Sequence, residues 1–232
     1  MSPTPIEKFG PEVPDTPAKP PTPNINLQGQ HVTIIPVHPD HAADLYDQVK
    51  GPENASLFDY LFDEPPASLA SFRASLATKA ESTNPWTYTI RLNATSKPVG
   101  MASLMRMDLP NRVIEIGSIL YTPALQRTPA ATEVQYLFAK YVFDTLGFRR
   151  YEWKCNDLNG PSKRAAKRLG FVYEGTFRQH MIARGRNRDT AWFAIVDRDW
   201  EGVKRGFEGW LAGENFGVDG RQKRRLEEFR EG

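Results

Sequence analysis

Val113–Tyr121 (VIEIGSILY), Thr122–Pro129 (TPALQRTP) and the helix-spaced run that follows from Ala130 to Leu146 decide the fold. The first piece is apolar and β-branched, as a strand requires. The second is a loop that ends in Thr128-Pro129, a capping residue followed by a proline suited to the first helical position. Val134, Leu137, Phe138 and Tyr141 fall three and four apart, which gives the helix its buried face. A second strand, Arg149–Cys155 (RRYEWKC), a turn, Asp157–Gly160 (DLNG), and a short helix closed by Leu169-Gly170-Phe171 complete the stretch. Two strands that bracket a long helix run parallel. The helix start between them offers free N–H groups and a positive dipole end, so the unit can hold a phosphorylated ligand.

Working outward, Trp86–Leu92, Pro98–Met107 and Val113–Tyr121 are joined by short turns and predict an antiparallel meander. Upstream lie a strand at His31–Pro36, a helix from Pro39 to about Val49, the aromatic-rich segment Asn54–Asp63 and a helix capped by Ser68. Downstream, Val172–Gln179 and Asp189–Val196 form a hairpin around Gly185, and Asp199–Leu211 is helical by spacing. The fold class is therefore α/β: a mixed, mostly antiparallel sheet with one splayed parallel pair and helices on both faces.

Residues 1–25 are rich in proline and poor in groups to bury, so they are expected to form a disordered arm. Residues 26–200 form the domain. Residues 201–232 form a C-terminal helix and a charged tail, read as a solvated face. The 232-residue chain is 40% hydrophobic with a net charge of +2, so it can bury a core and carries no bulk field toward nucleic acid or membrane. One cysteine, Cys155, excludes an internal disulfide. With no apolar run long enough to span a bilayer and no targeting pattern at the N-terminus, the expected location is cytoplasmic, with the nucleus open.

Three features of the central stretch can carry chemistry. The start of the helix at Pro129 can receive an anion, although every helix has such an end. Asn159 either caps the next helix or reaches a ligand between the parallel strands. Glu115, midway along an apolar strand, either faces solvent or faces a cleft where apolar surroundings suit it to general-base work.

From about Leu27 to Trp200 the chain resembles the GNAT superfamily of N-acetyltransferases, in its RimJ/RimL-like branch. The resemblance is carried by Glu115-Ile116-Gly117 leading to Gln126-Arg127-Thr128-Pro129-Ala130-Ala131-Thr132-Glu133, by Asn159-Gly160-Pro161-Ser162 through Arg168-Leu169-Gly170-Phe171-Val172-Tyr173-Glu174-Gly175, and by Arg178–Trp192 (RQHMIARGRNRDTAW). It implies acetyl-CoA as donor, no metal, and a primary amine as acceptor. It implies that the pantetheine arm pairs with the backbone of Ile119, Leu120 and Tyr121. The pyrophosphate is then held by backbone N–H groups of Arg127, Thr128, Ala130 and Ala131 within the loop Gln126–Thr132. Asn159 contacts the pantetheine arm, and Ser162 stands in for the tyrosine acid that the family usually places where Ala166 is found. Glu115 takes the amine's proton, and a backbone N–H of Ile119 or Leu120 meets the developing oxyanion. Pro129 departs from the family's glycine and removes one N–H.

The acceptor side is expected to be lined by Tyr60, Phe62, Trp86, Tyr88, His180, Asp189 and Trp192. Asp63 and Asp189 can bind a cationic amine, whereas Arg178, Arg184, Arg186 and Arg188 can select a carboxylate or phosphate. The leading reading is transfer to a small-molecule amine. Protein N-terminal acetylation and a non-catalytic CoA-binding or interaction module are the alternatives. A homodimer is compatible with the exposed strand of the last hairpin.

Overall fold

The computed structural model describes residues 10–230. Eight strands form one sheet in the order β1-β2-β3-β4-β5-β6-β8-β7. They are β1 (Leu27–Gln28), β2 (Val32–Pro36), β3 (Trp86–Leu92), β4 (Pro98–Asp108), β5 (Val113–Tyr121), β6 (Arg150–Asn156), β7 (Val172–Ala183) and β8 (Arg186–Val196). Helices α1 (Ala42–Val49) and α2 (Leu69–Glu81) separate β2 from β3. Helix α3 (Pro129–Lys140) separates β5 from β6, α4 (Gly160–Arg168) separates β6 from β7, and α5 (Asp197–Leu211) follows β8. All neighbouring strands are antiparallel except β5 and β6. The meander and the one parallel pair stand as the sequence predicts, with the two-residue β1 added at the start.

Alternation along the strands feeds two cores. On one face Ile114, Ile116, Tyr151 and Trp153 pack with Val134 and Phe138 of α3, Ala166 of α4, and Trp200, Val203 and Phe207 of α5. On the other, Met101 and Leu120 pack with Ala42, Leu45 and Val49 of α1 and Phe72 and Leu76 of α2. Each large side chain fully buried in this way contributes about 1.5–3 kcal/mol. Because α1 and α2 cover only part of the second face, the β6 and β8 portion is left to charged side chains.

Both termini depart from expectation. Of the Pro-rich arm, residues 1–9 lie outside the described residues, but the part from Ala18 is attached. Ala18 and Ile25 are buried in the main core, and the N–H groups of Ala18 and Lys19 donate to the carbonyls of Leu109 and Leu146. A few apolar residues among the prolines suffice to dock an extended segment. The tail is likewise no solvated face. Leu226 is buried, Phe229 sits against Gly209, and the Arg230 guanidinium donates to the Arg168 carbonyl.

Candidate active site

The β5–β6 pairing covers only Val113↔Arg150 through Ile116↔Trp153. Beyond it β5 runs on to Tyr121 and β6 to Asn156 without pairing, so the two strands splay. Ser118, in the left-handed region at φ 47°, and the broken register between Met101 and Ser103 turn β5 away at this point. A cleft of about 1090 Å³ opens through the gap. Gly117, Ser118, Ile119 and Tyr121 line one wall, and Lys154, Cys155, Asn156, Asn159 and Ser162 line the other.

One end of the cleft meets the start of α3. Gln126, Arg127, Thr128, Pro129, Ala131 and Thr132 line it. The Thr128 hydroxyl accepts from the Ala131 N–H at 3.2 Å and donates to the Leu125 carbonyl at 2.6 Å. Arg127 is held at φ 60°. The N–H groups of Arg127, Thr128 and Ala130 have no protein acceptor among the described residues. Arg168 adds a cation here: it lines the cleft, donates to Thr132 Oγ1 at 3.0 Å and lies 4.8 Å over the Trp210 ring. Trp210, Phe216, Gly220 and Gln222, from α5 and the tail, close this end.

Glu115 stands at the point of splay, only 5% exposed. Its Oε2 is 2.9 Å from Lys154 Nζ and 3.4 Å from Arg106 Nε, and Lys154 also bridges to Glu152 at 2.7 Å. The surroundings are therefore ionic, not apolar as expected from the strand's composition, because Lys154 and Glu152 reach the same face from β6. No described residue donates to Oε1, which lies about 3.3 Å from where a side chain on Gly117 would begin. Across the gap, Ser162 Oγ accepts from Trp153 Nε1 at 2.9 Å, and Asn159 Oδ1 caps α4 by accepting the Ser162 N–H at 3.0 Å. Burial raises the pKa of the neighbouring Cys155, against an opposing hydrogen bond from Ser162, so the sulfur stays a thiol.

The far end is bounded by Leu57, Tyr60, Phe62, Met105, Arg106, His180, Arg188 and Thr190. Arg184 spans from the last hairpin to the carbonyls of Phe58, Asp59 and Leu61, and Tyr60 Oη donates to the Leu158 carbonyl at 3.2 Å. These contacts draw the 52–62 segment over the cleft. His180 Nδ1 lies 3.0 Å from Thr190 Oγ1. Burial, then the charges of Arg106, Arg188 and Lys154, lower its pKa, so the ring is neutral near neutral pH.

The family model described as "Acetyltransferase (GNAT) domain" matches residues 31–172. The chain belongs to the GNAT acetyltransferase family. A GCN5-related N-acetyltransferase from Brucella melitensis superposes with a TM-score of 0.91 at 45% identity, covering 94% of this chain and 98% of that one. A Bacillus subtilis protein provisionally named ribosomal N-acetyltransferase YdaF is 29% identical over 105 residues, 45% of this chain and 57% of its own. An N-acetyltransferase named p20 from Bacillus licheniformis is 30% identical over 115 residues, 50% of this chain and 64% of its own. The chain thus spans less than two thirds of either curated relative.

Set in this GNAT cleft, the expected residues divide. Glu115, Ile119, Tyr121, Gln126, Arg127, Thr128, Ala131, Thr132, Asn159, Ser162, Tyr60, Phe62 and His180 line it. Leu120 does not: its side chain is buried with α1 and α2. The Tyr121 carbonyl is taken by Gln126 Nε2 at 2.8 Å, and Ala131's N–H by the cap. Ala130 is buried behind its free N–H. Four acceptor-side expectations are corrected. Tyr88 is fully buried against Phe138, 5.5 Å between ring centroids, on the α3 face. Trp86, which alternates to the same side, packs beside that core. The Asp189 carboxylate turns to the Gln179 N–H and Asn187 Nδ2. Trp192 lies beneath Lys154 at 3.8 Å and stacks on Phe177. The residues missed are Arg168, Lys154, Arg106 and the tail aromatics. Arg168 lay inside a quoted motif, and the others gave no local signal.

Proposed function

We propose that the protein is an acetyl-CoA-dependent N-acetyltransferase acting on the primary amine of a small molecule by direct transfer. The observation that carries this reading is the splay of β5 from β6, opening onto the unpaired N–H groups of Arg127, Thr128 and Ala130. These donors with Arg168 suit a pyrophosphate, and the free edge of β5 at Ile119 suits an extended amide arm. The residues present therefore fit acetyl-CoA, with Pro129's missing N–H offset by Arg168. When bound, that molecule supplies an activated acetyl group.

Glu115 takes the amine's proton through Oε1, directly or by way of a water, while Oε2 stays with Lys154. Ser162, its oxygen already held by Trp153, has a proton to give at the departing sulfur. A thiol with a pKa of about 8.5 leaves with little help, so a buried Ala166 in place of an acid is tolerated. The segment drawn over the far end by Arg184 and Tyr60 supports a small acceptor over a protein N-terminus.

The test is thiol release from acetyl-CoA across an amine panel, with CoA binding read by thermal shift. Glu115→Gln should lower kcat at least about 100-fold, the scale of lost general-base catalysis, and leave CoA stabilisation intact. Release with a protein N-terminal peptide and with no small amine would replace the small-acceptor reading. Neither stabilisation nor release would remove the enzyme reading.

A further inference from the structure

The acceptor end holds a buried cation with no counter-charge. Arg188 is 8% exposed and lines the cleft. Its Nε donates to Thr190 Oγ1 at 3.3 Å, and its guanidinium lies 5.0 Å over the Phe62 ring. Among the described residues no carboxylate pairs with it. Nearby, Arg106 and Lys154 are both turned to Glu115. The two aspartates that could have favoured a cationic acceptor are spent elsewhere, Asp63 on Lys79 and Asp189 on Gln179 and Asn187. An unpaired buried charge costs several kcal/mol, more than one aromatic face returns.

Donor counting extends the site. Thr190 Oγ1 accepts from Arg188, so its single proton is available for His180 Nδ1. A neutral His180 that accepts at Nδ1 carries its own proton on Nε2. Arg188's terminal nitrogens and His180 Nε2–H are thus donors lacking an acceptor, on residues that line one end of the cleft. A planar guanidinium edge matches a carboxylate in bidentate fashion.

We propose that the acceptor is an amine that also carries a carboxylate, received by Arg188 with His180, so that the amine is presented to Glu115. This rests on the transferase reading for the fate of the amine, not for the carboxylate site itself. It sets polyamines and simple cationic amines aside, because they would meet three cations around one cleft carboxylate.

The test compares the standard amino acids with their carboxamides as acceptors, with phosphoethanolamine and ethanolamine as a further pair. The acids should be preferred in kcat/KM. In Arg188→Gln that ratio should collapse toward one, through a rise in KM of about 30-fold or more for the acids, the scale of breaking a buried charge pair. Arg188→Lys should recover part of it, and thermal melting establishes that both variants fold. Equal use of acids and carboxamides by the wild type overturns the proposal, as does an equal loss for both in Arg188→Gln. Arg188-dependent use of phosphoethanolamine alone replaces the carboxylate with a phosphate. If no amine releases thiol, the transferase reading fails by itself. Calorimetric titration of the CoA-saturated protein with the same acids and carboxamides then decides the carboxylate site: acid-only binding lost in Arg188→Gln upholds it, and no such difference overturns it.

Discussion

Two side chains at the site, Glu115 and His180, are kept in defined states by their neighbours and not by their own chemistry. Glu115 stays charged in a strand because Lys154 and Arg106 both approach one of its oxygens, leaving the other for a substrate proton. His180 is pushed the other way: burial and the surrounding cations hold it neutral, and Thr190 selects its tautomer. Its folded pKa lies below the usual value of about 6.5. Between the folded pKa and about 6.5 the unfolded chain takes up a proton that the folded protein refuses. Its contribution to stability is therefore complete above about 6.5 and is lost as pH falls toward the folded value. A titration of the imidazole nitrogens by NMR should show a depressed midpoint and an Nε2–H tautomer. Thr190→Val should abolish the tautomer preference. A midpoint at or above 6.5 would mean that the cationic surroundings do not act on this ring.

At the scale of elements, the parallel pair works because α3 is anchored at its far side. Glu133, buried on α3, accepts the backbone N–H groups of Gln30, His31 and Val32 at 2.6, 2.7 and 2.9 Å. Gly29 leaves the room: a side chain there would start 2.4 Å from the Glu133 carboxyl carbon. Charge-assisted bonds of this kind contribute about 1.5–3 kcal/mol each, and Glu133→Ala strands three donors. It should destabilise the fold by roughly 3 kcal/mol or more, read as a lower urea midpoint at unchanged m. A loss under about 1 kcal/mol would show that water replaces the carboxylate. This bond set also marks what a sequence can disclose. The α3 cap at Thr128-Pro129 and the bounds of β3 and β5 were readable because the deciding residues are adjacent. Glu133 was quoted within a motif, yet its partners lie about a hundred positions away. The cofactor end was legible for the same reason, being built from one helix start and one asparagine turn. The acceptor end was not, because it depends on register. Tyr88 stands opposite Ala102 and so faces α3, and Gln179, in the left-handed region at φ 50° within a break in β7's register, sets where His180 points.

Across the whole molecule, one cleft joins two ends built by unrelated parts of the chain. The last hairpin and the 52–62 segment make the acceptor end, and α5 with the tail closes the other. Asn215 holds that tail: its side chain donates to the Trp210 carbonyl at 3.0 Å and the Arg224 carbonyl at 3.3 Å, and accepts the Arg224 N–H at 2.9 Å. Asn215 is buried, so Asn215→Ala leaves those groups short of partners and should cost about 2–4 kcal/mol of stability. Loosening the tail also frees Trp210 from Phe216, which it meets edge to face at 5.2 Å, and with it the stack under Arg168. CoA should then stabilise Asn215→Ala less than it stabilises the wild type, for which ligand at 100-fold its Kd is worth about 2.7 kcal/mol. Arg188 shares no partner with Asn215. In the double variant with Arg188→Gln the two losses should therefore add within about 0.5 kcal/mol, CoA affinity following Asn215 and acid-over-carboxamide preference following Arg188. A loss of CoA affinity in Arg188→Gln alone, or coupling well above that margin, would show that the two ends close as one unit.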